Sequence, residues 1–305
     1  MCRISFSIKG IGSKEGASVN ICEELIDSTP EDKIHLTSYL PDVINCVIIV
    51  SYGLGEFSGR YQKWAEKFTE IQCAVLVYDQ RGHGKTPGKK GIVSSYDLFF
   101  RDIDCVRKKA ADLYSGVPVI LYGHSMGGNI SLNYILKGFA GNTGSDGSKH
   151  IPITCAVVSS PWLRVPRQPP RVLVKVLGRV GKIFPHLMYR PRISLQDLSR
   201  DQQHLTETDP ESLLKQQLGF SILCQIIQAG EYALAHADNV NIPLLLMCAE
   251  KDLVVSPAAI EQFAKSAGDR IEYKSWDMYH ELHNDIGRDQ VFDCVARFIT
   301  DHLPD

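Results

Sequence analysis

The hydrophobic positions of this chain change their spacing repeatedly along its length. Six short runs, most of them continuously apolar, are typical of strands buried on both faces of a sheet. These runs are Cys46–Val50, Cys73–Tyr78, Val117–Tyr122, Ile153–Val158, Leu244–Cys248 and Ile271–Trp276. Between most of them the apolar residues take helical spacing, as at Trp64, Ala65 and Phe68. This alternation predicts a parallel sheet covered by helices on both faces.

Two further strands are predicted before this alternation begins. Ile21–Ile26 and Lys33–Leu40 are separated by the turn-forming segment Ser28–Asp32. The second of them alternates apolar and polar residues, as a half-exposed antiparallel strand does. Together the runs predict a mostly parallel, eight-stranded sheet.

The alternation stops between Pro161 and Asn241, where the pattern is helical without strand signals. We interpret this stretch as a helical cap inserted into an α/β core. The predicted organisation is therefore core over residues 1–161, cap over 162–240 and core again over 241–305.

The first part of the predicted cap is strongly basic. Trp162–Arg192 contains eight Arg or Lys residues and no Asp or Glu. Four of them recur at helical spacing among apolar residues: Arg171, Lys175, Arg179 and Lys182. Such a helix either packs its apolar face on the core and shows its charges to water, or contacts a lipid surface. The sequence leaves both interpretations open.

A nucleophile motif stands between the third of the six runs and a helical stretch. Gly123-His124-Ser125-Met126-Gly127 fits G-x-S-x-G, and its setting of strand, sharp turn and helix is that of a nucleophile elbow. Serine is a poor nucleophile at neutral pH, so Ser125 requires a base and an acid that orients the base.

The base is expected in the loop after the last strand, where a side chain can reach back over the carboxyl edge of the sheet. His280 lies in that loop and is the favoured base, with His283 as the alternative. The acid is expected after Leu244–Cys248, where Glu250 and Asp252 are both available. We favour Asp252 because it can turn inward from the loop.

The oxyanion of an acyl-transfer intermediate requires preorganised N–H donors. The backbone amide of Met126, directly after the nucleophile, is one expected donor. The second is expected from the glycine-containing loop Ser51–Glu56, with Leu54 as the donor.

Composition limits the remaining possibilities. The chain has 305 residues, of which 44% are hydrophobic and 22% charged, and its net charge of −2 gives no electrostatic footprint for nucleic acid. Nine scattered cysteines without C-x-x-C indicate free thiols in a reducing compartment. Met1–Ser7 lacks the apolar region of a signal peptide, and no stretch approaches 18 apolar residues. We therefore expect a soluble cytoplasmic protein, with peripheral membrane contact as a possible addition.

Cofactor and metal motifs are absent from the sequence. It contains no H-E-x-x-H, P-loop or G-x-G-x-x-G pattern. His83, in Arg81–Gly84, could bind a metal or a substrate. We favour a structural histidine bonded to backbone, because no second ligand stands at a metal spacing. We expect no cofactor and no metal, and the oligomeric state is left open.

Several of these segments resemble one known family, the monoacylglycerol lipase and lysophospholipase branch of the α/β-hydrolases, of serine aminopeptidase S33 type. The resemblance runs from about Lys33 to the C-terminus. The segments that carry it are Tyr52–Tyr61, Asp79–Thr86, Gly123–Gly128, Ser199–Asp201, Asp252–Val255 and His280–Asp285. It implies an α/β-hydrolase fold and hydrolysis of acyl esters under a mobile cap. It also implies triad roles for Ser125, Asp252 and His280 and oxyanion roles for the amides of Leu54 and Met126.

One residue departs from the family pattern. Tyr52 stands where the family usually has a histidine that braces the oxyanion loop. Tyr52, Gly53 and Glu56 in this loop are candidate substrate-binding residues.

Three functions compete at this point. The favoured one is a lipid-type serine esterase, a monoacylglycerol lipase that works through an acyl-enzyme on a small lipid or ester substrate. A lysophospholipase, thioesterase or aminopeptidase of the same fold is the alternative. The aminopeptidase would require carboxylates in the cap to hold an α-amine, for which the sequence offers Glu207, Asp209, Glu211 and Glu231. A non-catalytic binding protein is the third, and it is disfavoured by the intact order of serine, acid and histidine.

Overall fold

A computed structural model describes residues 19–145, 147–184, 186–191, 193–207 and 217–304. Met1–Ser7, Arg192, Asp209 and Glu211, which entered the sequence predictions, lie outside the described residues, as does the side chain of Glu207. The strands are β1 Asn20–Asp27, β2 Lys33–Leu40, β3 Cys46–Ser51, β4 Cys73–Asp79, β5 Val119–His124, β6 Ile153–Ser159, β7 Met188–Tyr189, β8 Leu218–Gly219, β9 Leu244–Ala249 and β10 Glu272–Trp276.

Eight of these strands form one sheet in the order β1-β2-β4-β3-β5-β6-β9-β10. β2 pairs antiparallel with β1 and with β4, whereas β4, β3, β5, β6, β9 and β10 run parallel. The predicted mostly parallel, eight-stranded sheet is therefore confirmed. Every residue of β3, β4, β5 and β9 is buried, which explains why these strands are continuously apolar.

Helices lie on both faces of the sheet. They are α1 Gln62–Glu70, α2 Asp97–Leu113, α3 Met126–Leu136, α4 Arg171–Ile183, α5 Gln202–Glu207, α6 Phe220–Ala235, α7 Pro257–Ala267 and α8 Arg288–Asp301. Apolar residues of α1 and α8 pack on one face, and those of α2, α3 and α7 pack on the other. The side chain of Ser256 accepts from the Ala259 amide at the start of α7, as a helix N-cap does.

The segment between β6 and β9 contains α4, α5 and α6. It also contains β7 and β8, which pair antiparallel, so the prediction of a stretch without strands was wrong at this point. The pair is only two residues long on each side, too short to leave an alternating pattern in the sequence. α6 lies on α3, where the Asn129 and Asn133 side-chain amides donate to the carbonyls of Ile226 and Ala229. Among the described residues, no helix has both the length and the apolar character to cross a bilayer.

Candidate active site

Ser125 occupies a strained turn between β5 and α3. Its backbone has φ 54° and ψ −115°, a conformation that costs free energy for a residue other than glycine and that persists only where the surroundings enforce it. Gly127 shows how close those surroundings are, since a Cβ there would lie 2.0 Å from the carbonyl oxygen of Ser51. The start of α3 is thus pressed against the loop that follows β3.

His280 joins Ser125 to Asp252. The Nε2 atom of His280 is 2.9 Å from Ser125 Oγ, and its Nδ1 atom is 2.6 Å from Asp252 Oδ2. The other carboxylate oxygen of Asp252 accepts from the amides of Val254 and Val255 at 2.8 and 2.9 Å. All three side chains are buried. The three residues that the sequence selected from separate segments therefore meet in one hydrogen-bonded line.

The electrostatics of His280 suit a proton acceptor. Burial disfavours the imidazolium, but the charge of the Asp252 carboxylate and its hydrogen bond outweigh burial and raise the pKa of His280 above its usual value. With Nδ1–H donating to Asp252, the Nε2 lone pair faces the hydroxyl of Ser125. That tautomer is the one a general base requires.

The two alternative residues have other partners. The ring of His283 stacks on Tyr61 with centroids 4.9 Å apart, and burial lowers the pKa of His283 to about 3. Glu250 accepts from the hydroxyl of Ser275 at 2.7 Å near the surface. In the part of the chain that the structure describes, neither side chain hydrogen-bonds to Ser125 or His280.

Two candidate oxyanion donors flank Ser125. Met126 is the first residue of α3, and the first amides of a helix have no partner within the helix. The loop after β3 approaches Ser125 from the other side, since a Cβ at Gly53 would lie 3.1 Å from Ser125 Cβ. Leu54 is the next residue of that loop and lines the same cavity as Ser125.

The cavity above Ser125 has a volume of about 500 Å³. Gly53 and Glu56 line it, as expected of candidate substrate-binding residues. Much of its remaining wall is apolar and comes from the cap and from the loop after β9, including Trp162, Val165, Ile193, Leu198, Leu253 and Val254.

Tyr52 lies differently from Gly53 and Glu56. Its side chain is fully buried and lies outside the wall of the cavity. Its hydroxyl donates to Asp79 Oδ1 at 3.0 Å and accepts from the Gln80 amide at 2.9 Å. The side chain therefore extends to the end of β4, away from the residues that line the cavity.

Ionisable side chains cluster at one part of the cavity wall, which Glu56, Arg60 and Glu281 line. Ligand atoms of Glu56, Glu281 and His283 lie within 4.8 Å of one another. The guanidinium of Arg60 is already there, donating to Glu281 at 2.8 and 2.9 Å and lying 3.5 Å from Glu56. A metal cation would have to compete with this positive charge. His83, the other histidine considered, has Nδ1 3.0 Å from the carbonyl of Arg81.

The cap is attached to the loop that carries His280. Arg200 donates through Nε and Nη2 to Asp285 Oδ2 at 3.0 and 2.9 Å, and the hydroxyl of Ser199 donates to the carbonyl of Asn284 at 2.9 Å. The Glu281 amide donates to the carbonyl of Leu198 at 2.8 Å. Sequence reasoning noticed the triplet that begins at Ser199 but not its partners, because these contacts join positions more than 80 residues apart.

Comparison with known proteins places this chain in a family. A model of the family described as serine aminopeptidase, S33, matches residues 43–287. An uncharacterized abhydrolase domain-containing protein of Dictyostelium discoideum is 26% identical over 280 residues, which are 90% of this chain and 28% of that protein. The chain thus spans little more than a quarter of that relative.

Two further proteins are informative. A putative monoglyceride lipase of Schizosaccharomyces pombe is 26% identical over 84% of this chain and 67% of its own length. The crystal structure of a soluble variant of Saccharomyces cerevisiae monoglyceride lipase, in complex with a substrate analog, superposes with a TM-score of 0.79. That comparison covers 98% of this chain and all of the other at 18% identity, so it demonstrates the fold alone. The chain has the α/β-hydrolase fold and belongs to the serine aminopeptidase S33 family.

Proposed function

We propose that this protein is a serine hydrolase of carboxylic esters, with lipid esters of the monoacylglycerol type as its substrates. The observation that carries the proposal is the hydrogen-bonded line from Ser125 through His280 to Asp252, which opens onto a largely apolar cavity. The name of the S. pombe relative supports the choice of substrate.

The chemistry follows from the geometry. His280 Nε2 takes the proton of Ser125 as Oγ attacks the ester carbonyl, and Asp252 stabilises the imidazolium that forms. The amides of Leu54 and Met126 donate to the oxyanion of the tetrahedral intermediate. His280 then protonates the departing alcohol, leaving an acyl-enzyme. A water molecule, deprotonated by His280, releases the carboxylic acid and restores Ser125.

A fluorophosphonate probe tests the nucleophile. Wild-type protein should be labelled and should hydrolyse a p-nitrophenyl ester, and Ser125→Ala should lose the labelling and about 10⁶-fold in kcat. Ser94→Ala, at an exposed serine, is the matched control and should behave as wild type. Labelling that persists in Ser125→Ala would contradict the assignment of Ser125 as the nucleophile.

The aminopeptidase alternative is less well supported. An aminopeptidase needs free cap carboxylates for the α-amine of its substrate, but Glu231 already pairs with Arg164 at 2.5 and 2.8 Å and with Arg171 at 3.0 Å. We therefore expect a panel of acyl esters and aminoacyl amides to give turnover of the esters. Faster cleavage of the amides would reverse this choice.

We further propose that α4 docks on an anionic lipid surface. Its outward side exposes Val172, Ile183 and Phe184 to 74%, 71% and 62%. Lys175, Arg179 and Lys182 on the same helix make no ion pair with any residue that the structure describes. Exposed apolar side chains beside unneutralised cations suit the interface of an anionic bilayer, and basic residues near such a surface contribute about 1 kcal/mol each.

Vesicle sedimentation tests the docking. The triple variant Lys175→Ser, Arg179→Ser, Lys182→Ser should bind phosphatidylglycerol vesicles at least about tenfold more weakly and should hydrolyse a soluble short-chain ester as wild type does. The matched control replaces Lys251, Lys265 and Lys274, which are exposed on the core, and changes the net charge equally. Equal vesicle binding by the two triple variants would contradict a role specific to α4.

A further inference from the structure

The orientation of the Leu54 amide depends on the peptide plane that precedes it. Leu54 is the second candidate oxyanion donor, and a donor of this kind is effective only when it is held in place before the reaction. A loop alone does not provide such rigidity. The groups that bind the Tyr52–Gly53 peptide and the peptide after it therefore hold the Leu54 N–H in place.

That peptide plane is held at both ends. The side-chain amide of Gln80 donates to the Tyr52 carbonyl at 2.5 Å, and the Gly53 amide donates to Glu56 Oε2 at 2.6 Å. Because the peptide group is planar, fixing its C=O and its N–H together prevents it from rotating. The next peptide unit, which contains the Leu54 amide, is held in turn because the Gly53 carbonyl accepts from the Glu56 amide at 3.4 Å.

The side chain of Tyr52 adds a third attachment. Its hydroxyl donates to Asp79 Oδ1 at 3.0 Å, and the same oxygen accepts from the Ser58 amide at 2.7 Å. Both ends of the loop are thus bound to one carboxylate oxygen. The hydroxyl of Tyr52 also accepts from the Gln80 backbone amide at 2.9 Å, which fixes the residue whose side chain holds the peptide.

We propose that Gln80 is a positioning residue for the oxyanion loop and that Tyr52 braces it there, an inference that rests on the proposed hydrolase function. Gln80 is fully buried and follows β4 directly, so it is fixed by the sheet and does not touch the substrate cavity. Its weaker second contact, 3.4 Å to Ser51 Oγ, leaves the Tyr52 carbonyl as its principal partner.

Gln80→Met is the decisive variant, because it keeps the length of the side chain and removes the donor. On a soluble p-nitrophenyl ester we expect kcat to fall about 10- to 100-fold with KM changed less than about twofold, since a displaced donor weakens only the transition state. The affinity for a trifluoromethyl ketone, which forms a tetrahedral adduct, should fall by a similar factor. The affinity for a non-hydrolysable ether analogue of the substrate should not change.

Tyr78→Phe is the matched control. It removes a buried hydrogen bond between the same two strands, from the Tyr78 hydroxyl to Ser51 Oγ at 3.0 Å, the atom of the weaker Gln80 contact. Both hydrogen bonds of the Tyr52–Gly53 peptide stay in place. Its kinetics should equal those of wild type. If Gln80→Met fails to fold, Tyr52→Phe provides the same test with a smaller expected loss, and Tyr52→His asks whether the residue usual in the family restores activity.

The outcomes separate the two proposals. A wild-type protein without ester turnover rejects the proposed function itself. An active wild type with unchanged kcat in folded Gln80→Met, or equal losses of ketone and ether affinity, rejects the positioning role alone. A loss of kcat and ketone affinity together, with the ether analogue and Tyr78→Phe unaffected, establishes it.

Discussion

Two helices of similar length, α3 next to the nucleophile and α4 in the cap, differ in how far they are buried. All eleven residues of α3, which begins directly after Ser125, are buried. In α4, with thirteen residues, only Val174 and Gly181 are buried. α3 contains no charged residue, and its polar side chains, such as Asn129 and Asn133, are buried and hydrogen-bonded, whereas α4 carries four basic residues.

This difference in burial shows which part of the molecule requires rigidity. A strained serine backbone persists only if close packing on every side enforces it, and α3 is surrounded by the sheet, by α6 and by the loop after β3. α4 packs mainly on α6 and leaves its other side to solvent. We therefore expect substitutions near α3 to affect chemistry, and substitutions on α4 to affect access to lipid.

Asp252→Asn should have the largest effect on the buried side of this comparison. The variant keeps the shape of the side chain but removes the charge that stabilises the imidazolium of His280, so kcat/KM should fall about 10³- to 10⁴-fold. Steady-state hydrolysis of a soluble ester measures this. Glu250→Gln is the matched control, because that acid lies after the same strand and bonds only Ser275 among the contacts described. A comparable loss in the control would remove the distinction between the two acids.

The pH profile checks the same interaction. Only neutral His280 accepts a proton, so activity falls as pH drops through its pKa. Because Asp252 raises the pKa of His280 against the opposing effect of burial, the acid limb of kcat/KM should lie above the ordinary histidine value of about 6.5. In Asp252→Asn burial still lowers the pKa of His280 and only the more distant charges of Glu281 and Glu56 oppose it, so the limb should move to lower pH. A limb that stays in place would indicate that another group titrates.

Gly127→Ala in α3 should have the next largest effect. The added Cβ would lie 2.0 Å from the Ser51 carbonyl oxygen, so the elbow and the oxyanion loop must separate. We expect kcat to fall about 100-fold, as it does when catalytic geometry shifts by about 1 Å. The same substitution in α4, Gly178→Ala, meets only the side chain of Cys224, at 3.3 and 3.8 Å, and should leave soluble-ester kinetics unchanged. Equal losses of kcat in both variants would contradict the proposed difference between α3 and α4.

Ile183→Ser with Phe184→Ser should have the smallest effect on chemistry. Both side chains are exposed, so removing them costs no core packing, and hydrolysis of a soluble ester should be unchanged. Burial of an apolar side chain contributes about 1.5–3 kcal/mol, so hydrolysis of a vesicle-borne monoacylglycerol should fall about tenfold or more. Leu25→Ser with Val43→Ser, which are exposed elsewhere, is the control. A parallel loss in that control would make the effect nonspecific.

The sequence predicted most of the sheet because its signals are local. The runs at Cys46–Val50 and Cys73–Tyr78 are apolar throughout, and strands buried on both faces permit little else. The two-residue strands Met188–Tyr189 and Leu218–Gly219 were missed, because pairing across 30 residues leaves no pattern in so short a segment.

By itself the sequence determined the fold class, the family motifs and the order of Ser125, Asp252 and His280, since each depends on residue type and local spacing. Only the tertiary structure decided that His280 and not His283 faces Ser125 at 2.9 Å, that Tyr52 turns away from the cavity, and that Gln80 holds the peptide before Leu54. These outcomes depend on which strand ends meet at the carboxyl edge of the sheet and on the lengths of the side chains there. Such contacts join residues tens of positions apart, so hydrophobic periodicity contains no record of them.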